Sequence, residues 1–220
     1  MMNRKIAICV SSMLLLCASG RAPNSYPLHH DITATEFWAG EPADRDNGNI
    51  SNTQSAWDGL WEAHYGGVDD PAHRTGYLPS AFVPKENPFY FALPYDDFDD
   101  NGNRRKDVAR VIPWFDERPW TANESMCKNR WIRIMQGGHI CYAQWEDVGP
   151  YEEADSAYVF GKSQPTSAQN NHAGLDLSPA VTDYLHLNGE QKVDWAFVDG
   201  ADVPRGPWTQ IQTTSQIDWN

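Results

Sequence analysis

Alternating apolar and polar residues predict a β-strand over 141–147, which Gly149 and Pro150 end at once. Successive side chains of a strand point to opposite faces, so every second residue lies on the same side. The more apolar side then carries Cys141, Ala143, Trp145 and Asp147. A carboxyl group beside Trp145, with little water around it, tends to have a raised pKa, which suits a general acid. The alternative is an Asp that only hydrogen-bonds its own turn.

Other short apolar runs predict the remaining elements. The 15 prolines and 16 glycines are spread between these runs, a pattern typical of an all-β protein with long loops. Strands are expected at 33–38, 87–95, 110–114, 130–136, 139–147 and 191–198. A hairpin about Gly137 and Gly138 would join 130–136 to 139–147 and place Ile134 opposite Cys141. Short helices are expected at 55–65 and 179–187.

Two segments resemble the double-psi β-barrel of rare lipoprotein A and the expansins. The segment 147–151, Asp-Val-Gly-Pro-Tyr, resembles the Asp-x-Gly-Pro-aromatic turn of that family, with Val148 where the family usually has Arg. The segment 176–178, Asp-Leu-Ser, resembles the one that opens a short helix in the family. The resemblance covers roughly 130–198. It implies an all-β fold, a six-stranded double-psi β-barrel with long loops and one or two short helices.

The same resemblance implies activity on cell-wall glycan and names the site residues. Asp147 and Asp176 would be the catalytic carboxyls, and no cofactor is expected. Contacts to the substrate, a polysaccharide such as peptidoglycan or another β-linked glycan, would come from Tyr90, Trp145, Tyr151, His172 and Trp38. Lytic cleavage of peptidoglycan with Asp147 as the single acid is the first hypothesis. Non-hydrolytic polysaccharide binding of the expansin kind, or a structural or inhibitor-like role, are the alternatives.

The chain also departs from the family. Tyr90 stands where the lipoprotein family has a His, and Ala39 stands where endoglucanases that share the fold have a catalytic base. Glu36 or Glu41 could replace that base, although no spacing favours either of them. The missing base argues against the two-carboxylate inverting mechanism. Whether the protein is an enzyme therefore stays open.

Residues 1–20 have the features of a cleavable secretory signal peptide. Arg4 and Lys5 precede an apolar run over 6–16, and small residues follow. Cys17 could instead accept a lipid, but Leu16 is large for such a site. A single domain over 21–220, secreted or periplasmic and monomeric, is expected. Without its first 20 residues the chain keeps 15 basic and 30 acidic residues, a balance that argues against nucleic-acid binding.

Two further patterns in the sequence, a pair of cysteines and an acidic loop, can each be interpreted in two ways. Cys127 and Cys141 would form a disulfide only if 125–129 folds back over the sheet, since a regular hairpin separates them. The oxygens of Asp97, Asp99 and Asn101 match the first half of a calcium-binding loop. That loop lacks its final Glu, so the alternative is an acidic turn that needs no ion.

Overall fold

The computed structural model describes residues 25–45 and 47–219. The expected signal peptide, including Cys17, lies outside these residues. Within them, no helix combines the length and the apolar character needed to cross a membrane.

Six strands close into a barrel. They are β1 (His29–Glu36), β4 (Tyr90–Leu93), β5 (Trp131–Gln136), β6 (His139–Val148), β7 (Ala173–Leu177) and β8 (Gln191–Val198). Around the barrel the order is β1-β7-β4-β6-β5-β8, with β1 parallel to β7, β4 parallel to β6, and the other neighbours antiparallel. A separate ribbon pairs β2 (Arg74–Thr75) with β3 (Leu78–Pro79). The predicted all-β fold with a closed six-stranded barrel is confirmed.

The predicted hairpin is confirmed in its register. β5 and β6 pair with Ile134 opposite Cys141, and Gly137 and Gly138 take the positive φ angles that the tight turn requires. Cys127 and Cys141 are both buried free thiols, so the disulfide is not formed.

Among residues 25–45 and 47–219, three short α-helices accompany the barrel. They are α1 (Trp61–Tyr65), α2 (Val108–Val111) and α3 (Pro179–Leu185). Only the second half of the predicted helix 55–65 forms, although Trp57 and Trp61 are both fully buried as core residues. α3 ends at a left-handed His186, short of the predicted stop at 188–189.

The prediction of a strand over 110–114 is wrong. This part of the chain contains α2 instead, with Val108 and Ile112 both buried. In a strand, Arg110 would share the face of these two buried residues, yet it is exposed. In a helical turn, residues four apart share a face while the residue midway between them points away, which is the pattern seen here. Pro113 then ends it, because the residue before a proline is driven into the extended conformation that Ile112 adopts.

The long segment 151–171 packs into the main core along its middle. Its middle is a single π-helical turn, Ala157–Gly161, whose Tyr158, Val159 and Phe160 side chains are buried in the main core. Phe160 stacks against Phe197 of β8 with ring centroids 5.9 Å apart. The segment is thus fixed by the core, and only residues near its two ends reach the cleft described below.

A second, smaller core lies apart from the main one. It contains Phe37, Ala39, Trp61, Tyr65, Tyr90 and Ala92. Tyr90 and Ala92 alternate along β4 with Phe91 and Leu93, which belong to the main core. This smaller core packs the loop after β1 and helix α1 against the outer face of β4. The loop that it holds forms one wall of the candidate site.

Candidate functional site

A cleft of about 430 Å³ opens on the outer face of the barrel. Its walls come from the end of β1 and the loop 37–52, from the turn 147–151 that follows β6, and from residues of β7 and the β7–β8 connection. Thr35, Ala92, Asp147 and Asp176 line it.

These four residues form one row across four neighbouring strands. Ala92 of β4 pairs with Asp147 on one side and with Asp176 on the other. Asp176 in turn pairs with Thr35 of β1. Directly opposed residues of a sheet share a face, and neighbouring strands lie about 4.8 Å apart. The α-carbons of the two Asp residues are therefore roughly 10 Å apart, and Ala92, whose side chain is a single methyl group, lies between them in the row.

A β-bulge directs Asp147 into this row. In the β4–β6 ladder Phe91 pairs with Trp145 and Ala92 with Asp147, so Glu146 is left over. Phe91 and Ala92 point to opposite faces, and the same must hold for their partners. The prediction that Asp147 shares the face of Trp145 is wrong, because strict alternation does not hold through a bulge.

The carboxyl group of Asp147 is buried yet reaches the cleft. The residue is 8% exposed, and its Oδ1 accepts hydrogen bonds from the backbone N–H groups of Ala56 and Val148, both at 2.8 Å. Its Oδ2 accepts no hydrogen bond from the residues that the structure describes. Burial, with smaller contributions from the Asp176 and Asp96 charges, raises the pKa of Asp147 to about 7 in spite of these two donors. The group can therefore hold or release a proton near neutral pH.

Asp176 is the second carboxyl group of the row. The hydroxyl of Thr35 donates to its Oδ1. Burial raises the pKa of Asp176 to about 6, and the charge of Glu41 adds to the shift. A Cβ at position 149 would lie 3.4 Å from Asp176 Oδ2, and Gly149 has a φ of +153° that L side chains rarely adopt. Glycine at the turn thus keeps this oxygen accessible.

Glu41 is a third carboxyl group of the cleft, which sequence spacing alone did not favour. It is 6% exposed and accepts a 2.7 Å hydrogen bond from the Asn52 side chain. Burial raises its pKa as well. The backbone pairs Gly40 N with Asn52 O, and Asn52 N with Glu41 O, so the loop folds back on itself and holds the carboxyl inside the cleft. The contact joins residues 11 apart in an irregular loop, and no local pattern in the sequence indicates it.

Two of the predicted aromatic contacts line the cleft. Trp38 is half-buried on the loop after β1, and Tyr151 follows the Gly149-Pro150 turn with 38% of its surface exposed. Aromatic rings at the edges of a cleft offer apolar faces on which a sugar ring can stack.

The other three predicted contacts lie outside the cleft lining. Tyr90 is 1% exposed, and its hydroxyl donates to Asp69 Oδ2 at 3.0 Å and accepts from Ala39 N at 2.9 Å. Trp145 is fully buried inside the barrel. His172 is exposed, with its Nδ1 2.7 Å from the carbonyl oxygen of Ser167, and it does not line the cleft. The packing of the second core over β4, and the barrel interior itself, explain why Tyr90 and Trp145 do not reach a substrate here.

The two Asp residues of the candidate calcium loop have other partners. Asp97 is fully buried, where it pairs with Arg104 and accepts from Ser125 Oγ at 2.6 Å. Asp99 accepts from the backbone N–H groups of Asn101 and Asn103, both at 3.0 Å. These contacts fit the alternative of an acidic turn without an ion. Across residues 25–45 and 47–219, no group of three or more His, Cys, Asp or Glu side chains is placed to hold a metal ion.

In comparisons with known proteins, the chain matches no protein-family model and no curated protein sequence.

Proposed function

We propose that the protein is an exported glycan-active protein whose cleft binds a β-linked polysaccharide, with Asp147 as the proton donor. The observation that carries this proposal is the row in which Asp147 and Asp176 flank Ala92 at the base of the cleft. Burial raises the pKa of both carboxyl groups, that of Asp147 to about 7. An acid that keeps its proton near neutral pH is what cleavage of a glycosidic bond requires.

Cleavage would begin with the proton of Asp147. As the bond from the sugar carbon to the glycosidic oxygen breaks, Asp147 gives its proton to the leaving oxygen, and positive charge develops on the sugar ring. Asp176, two strands away, lies where an ionised carboxylate would stabilise that charge. In lytic cleavage a hydroxyl of the same sugar attacks the carbon, and Asp147, now ionised, takes the proton that this hydroxyl loses. No water is consumed, and Asp147 is protonated again for the next cycle.

The motifs of the two Asp residues support this choice of chemistry, because they resemble those of rare lipoprotein A and the expansins. The closed barrel is compatible with the double-psi fold of that family. Trp38 and Tyr151 at the cleft would stack on sugar rings.

A non-hydrolytic binding module of the expansin kind is the second candidate. The observation that favours it is the absence of a second proton-transfer group at the position of the family's His. Tyr90 occupies that position, and its hydroxyl is buried against Asp69 and Ala39. In this case glycan affinity would depend on Trp38 and Tyr151 and would be insensitive to replacement of Asp147 by Asn.

Release of soluble sugar separates the two candidates. Purified peptidoglycan and cellulose would each be incubated with the protein over residues 21–220, as wild type, Asp147→Asn and Asp116→Asn. Asp116 is exposed and does not line the cleft, which makes it a matched control. We expect Asp147→Asn to lower product release by at least about 100-fold, the usual contribution of a general acid, and Asp116→Asn to leave it unchanged. Products with anhydro ends would identify lytic cleavage.

Equal release by wild type and Asp147→Asn would contradict the role of Asp147. If neither protein released products while both were pulled down by the glycan, the binding module would be the correct candidate.

A further inference from the structure

The charge of the cleft restricts which glycan it can bind. Six carboxyl side chains line the cleft, those of Glu36, Glu41, Asp44, Asp147, Asp176 and Glu190. Among the described residues of the lining, none is Lys, Arg or His. The whole chain has a formal charge of −13 at pH 7, so its long-range field has the same sign as the cleft. Clefts lined by charge of one sign concentrate ligands of the opposite sign and repel ligands of the same sign.

Two oxygens of the row lack a hydrogen-bond donor. Asp147 is more than nine-tenths buried, and both of its backbone donors bind Oδ1. Asp176 likewise accepts the Thr35 hydroxyl at Oδ1. In the described part of the chain, Oδ2 of either residue receives no hydrogen bond. Neither atom is among the fully buried unpaired ones, so a ligand in the cleft can reach both. A ligand that carries N–H donors and positive charge would satisfy Asp176 Oδ2, and an ammonium group offers three such donors. Asp147, the proton donor of the proposed mechanism, carries its own proton on the free oxygen.

We propose that the cleft selects β-linked glycans whose amino sugars carry free, protonated amino groups over neutral N-acetylated glycans and over anionic glycans. This inference rests on the proposed function, since it names the substrate class of the same cleft. The ammonium group would lie near the row of carboxyls, and the sugar rings would stack on Trp38 and Tyr151. A uronic acid polymer would place its carboxylates against the six of the cleft.

Binding to a matched series of oligosaccharides tests this selection. The series would consist of β-1,4-linked hexamers of glucosamine, N-acetylglucosamine, glucose and glucuronic acid. Isothermal titration calorimetry at pH 6 would be run at low salt and again at about 0.5 M NaCl. We expect the glucosamine hexamer to bind at least about tenfold tighter than the N-acetylated one at low salt, and the glucuronic acid hexamer not to bind. High salt should reduce the tenfold advantage, because it screens charge at the cleft.

A pair of charge-neutralising variants assigns the effect to the cleft. Glu190 lies at the cleft and Glu152 is exposed away from its lining. Glu190→Gln should weaken binding of the glucosamine hexamer by about threefold, because an exposed ion pair contributes only weakly to affinity. It should leave binding of the N-acetylated hexamer unchanged. Glu152→Gln should change neither. Equal loss in both variants would assign the preference to net charge alone and overturn the inference.

The outcomes separate this inference from the proposed function. Equal affinity for the glucosamine, N-acetylglucosamine and glucose hexamers would overturn the inference and leave the proposed function standing. No binding to any hexamer would contradict both. If the glucosamine hexamer is preferred, pull-down by chitosan and by de-N-acetylated peptidoglycan strands would distinguish the two sources of this chemistry.

Discussion

Replacement of Asp147 by Asn is expected to stabilise the fold at neutral and alkaline pH while it removes glycan cleavage. Burial raises the pKa of Asp147 from 3.8 to about 7, so the folded protein binds this proton more tightly than the unfolded chain does. The stability that depends on Asp147 is therefore present below about pH 4 and is lost as the pH rises towards 7. At pH 8 the buried carboxylate is ionised, and the shift corresponds to a penalty of roughly 4 kcal/mol.

An amide avoids most of that penalty. The Asn side chain of the variant would keep an oxygen that accepts from Ala56 N and Val148 N, and it carries no charge. We expect Asp147→Asn to raise the free energy of unfolding by about 2 to 4 kcal/mol at pH 8 and to change it little at pH 4. Urea unfolding of wild type, Asp147→Asn and the exposed control Asp116→Asn at both pH values measures this. Lower stability of Asp147→Asn at pH 8 would instead show that the carboxylate braces its loop, the structural alternative.

Loss of the Lys128 charge is expected to have a destabilising effect of similar size. Lys128 and Glu146 are both buried, each with about 1% of its side chain exposed, and they form an ion pair. Glu146 Oε1 has no hydrogen-bond partner among the described residues. Burial, only partly offset by Lys128, raises the pKa of Glu146 to about 7. Removal of one partner leaves the other charge uncompensated, which typically costs about 3 to 5 kcal/mol.

The pH dependence and a double variant make this prediction specific. Lys128→Met should lower the free energy of unfolding by about 3 kcal/mol or more at pH 8, and by less at pH 5, where Glu146 can take up a proton. The double variant Lys128→Met with Glu146→Leu removes both charges and should recover most of the loss. Equal stability of wild type and Lys128→Met at pH 8 would contradict the prediction. Glu146 is also the residue left over at the bulge, directly before Asp147.

Much of the barrel could be predicted from local patterns. The alternation of apolar and polar residues predicted the bounds of β8 (Gln191–Val198), and those of β5 (Trp131–Gln136) to within one residue. Two consecutive glycines predicted the register of the hairpin. These elements follow local rules of side-chain period and turn geometry. The bulge at Glu146 could not be predicted, because Glu146 and Asp147 are both polar and their sequence is compatible with either register.

The candidate site depends on contacts that local patterns do not contain. Sequence motifs identify Asp147 and Asp176 as candidate site residues. Their position in one row, however, depends on the pairing of both β6 and β7 with β4. Tyr90 takes the position of a functional residue of the family, yet the loop after β1 and helix α1 cover it. Glu41 enters the cleft through a contact with Asn52 in an irregular loop. Each of these outcomes is decided by tertiary packing.

Titration of the Asp147 side chain is the most direct test of the central claim, that a proton-donating carboxyl faces a glycan-binding cleft. Carboxyl ¹³C chemical shifts would be followed by NMR from about pH 3 to about pH 9, with Asp147→Asn to assign the signal, in the absence and presence of saturating oligosaccharide. We predict a pKa of about 7 for the free protein and a clear change of the signal when glycan binds. A pKa near the ordinary Asp value of about 4, unchanged by every glycan tested, would contradict the claim.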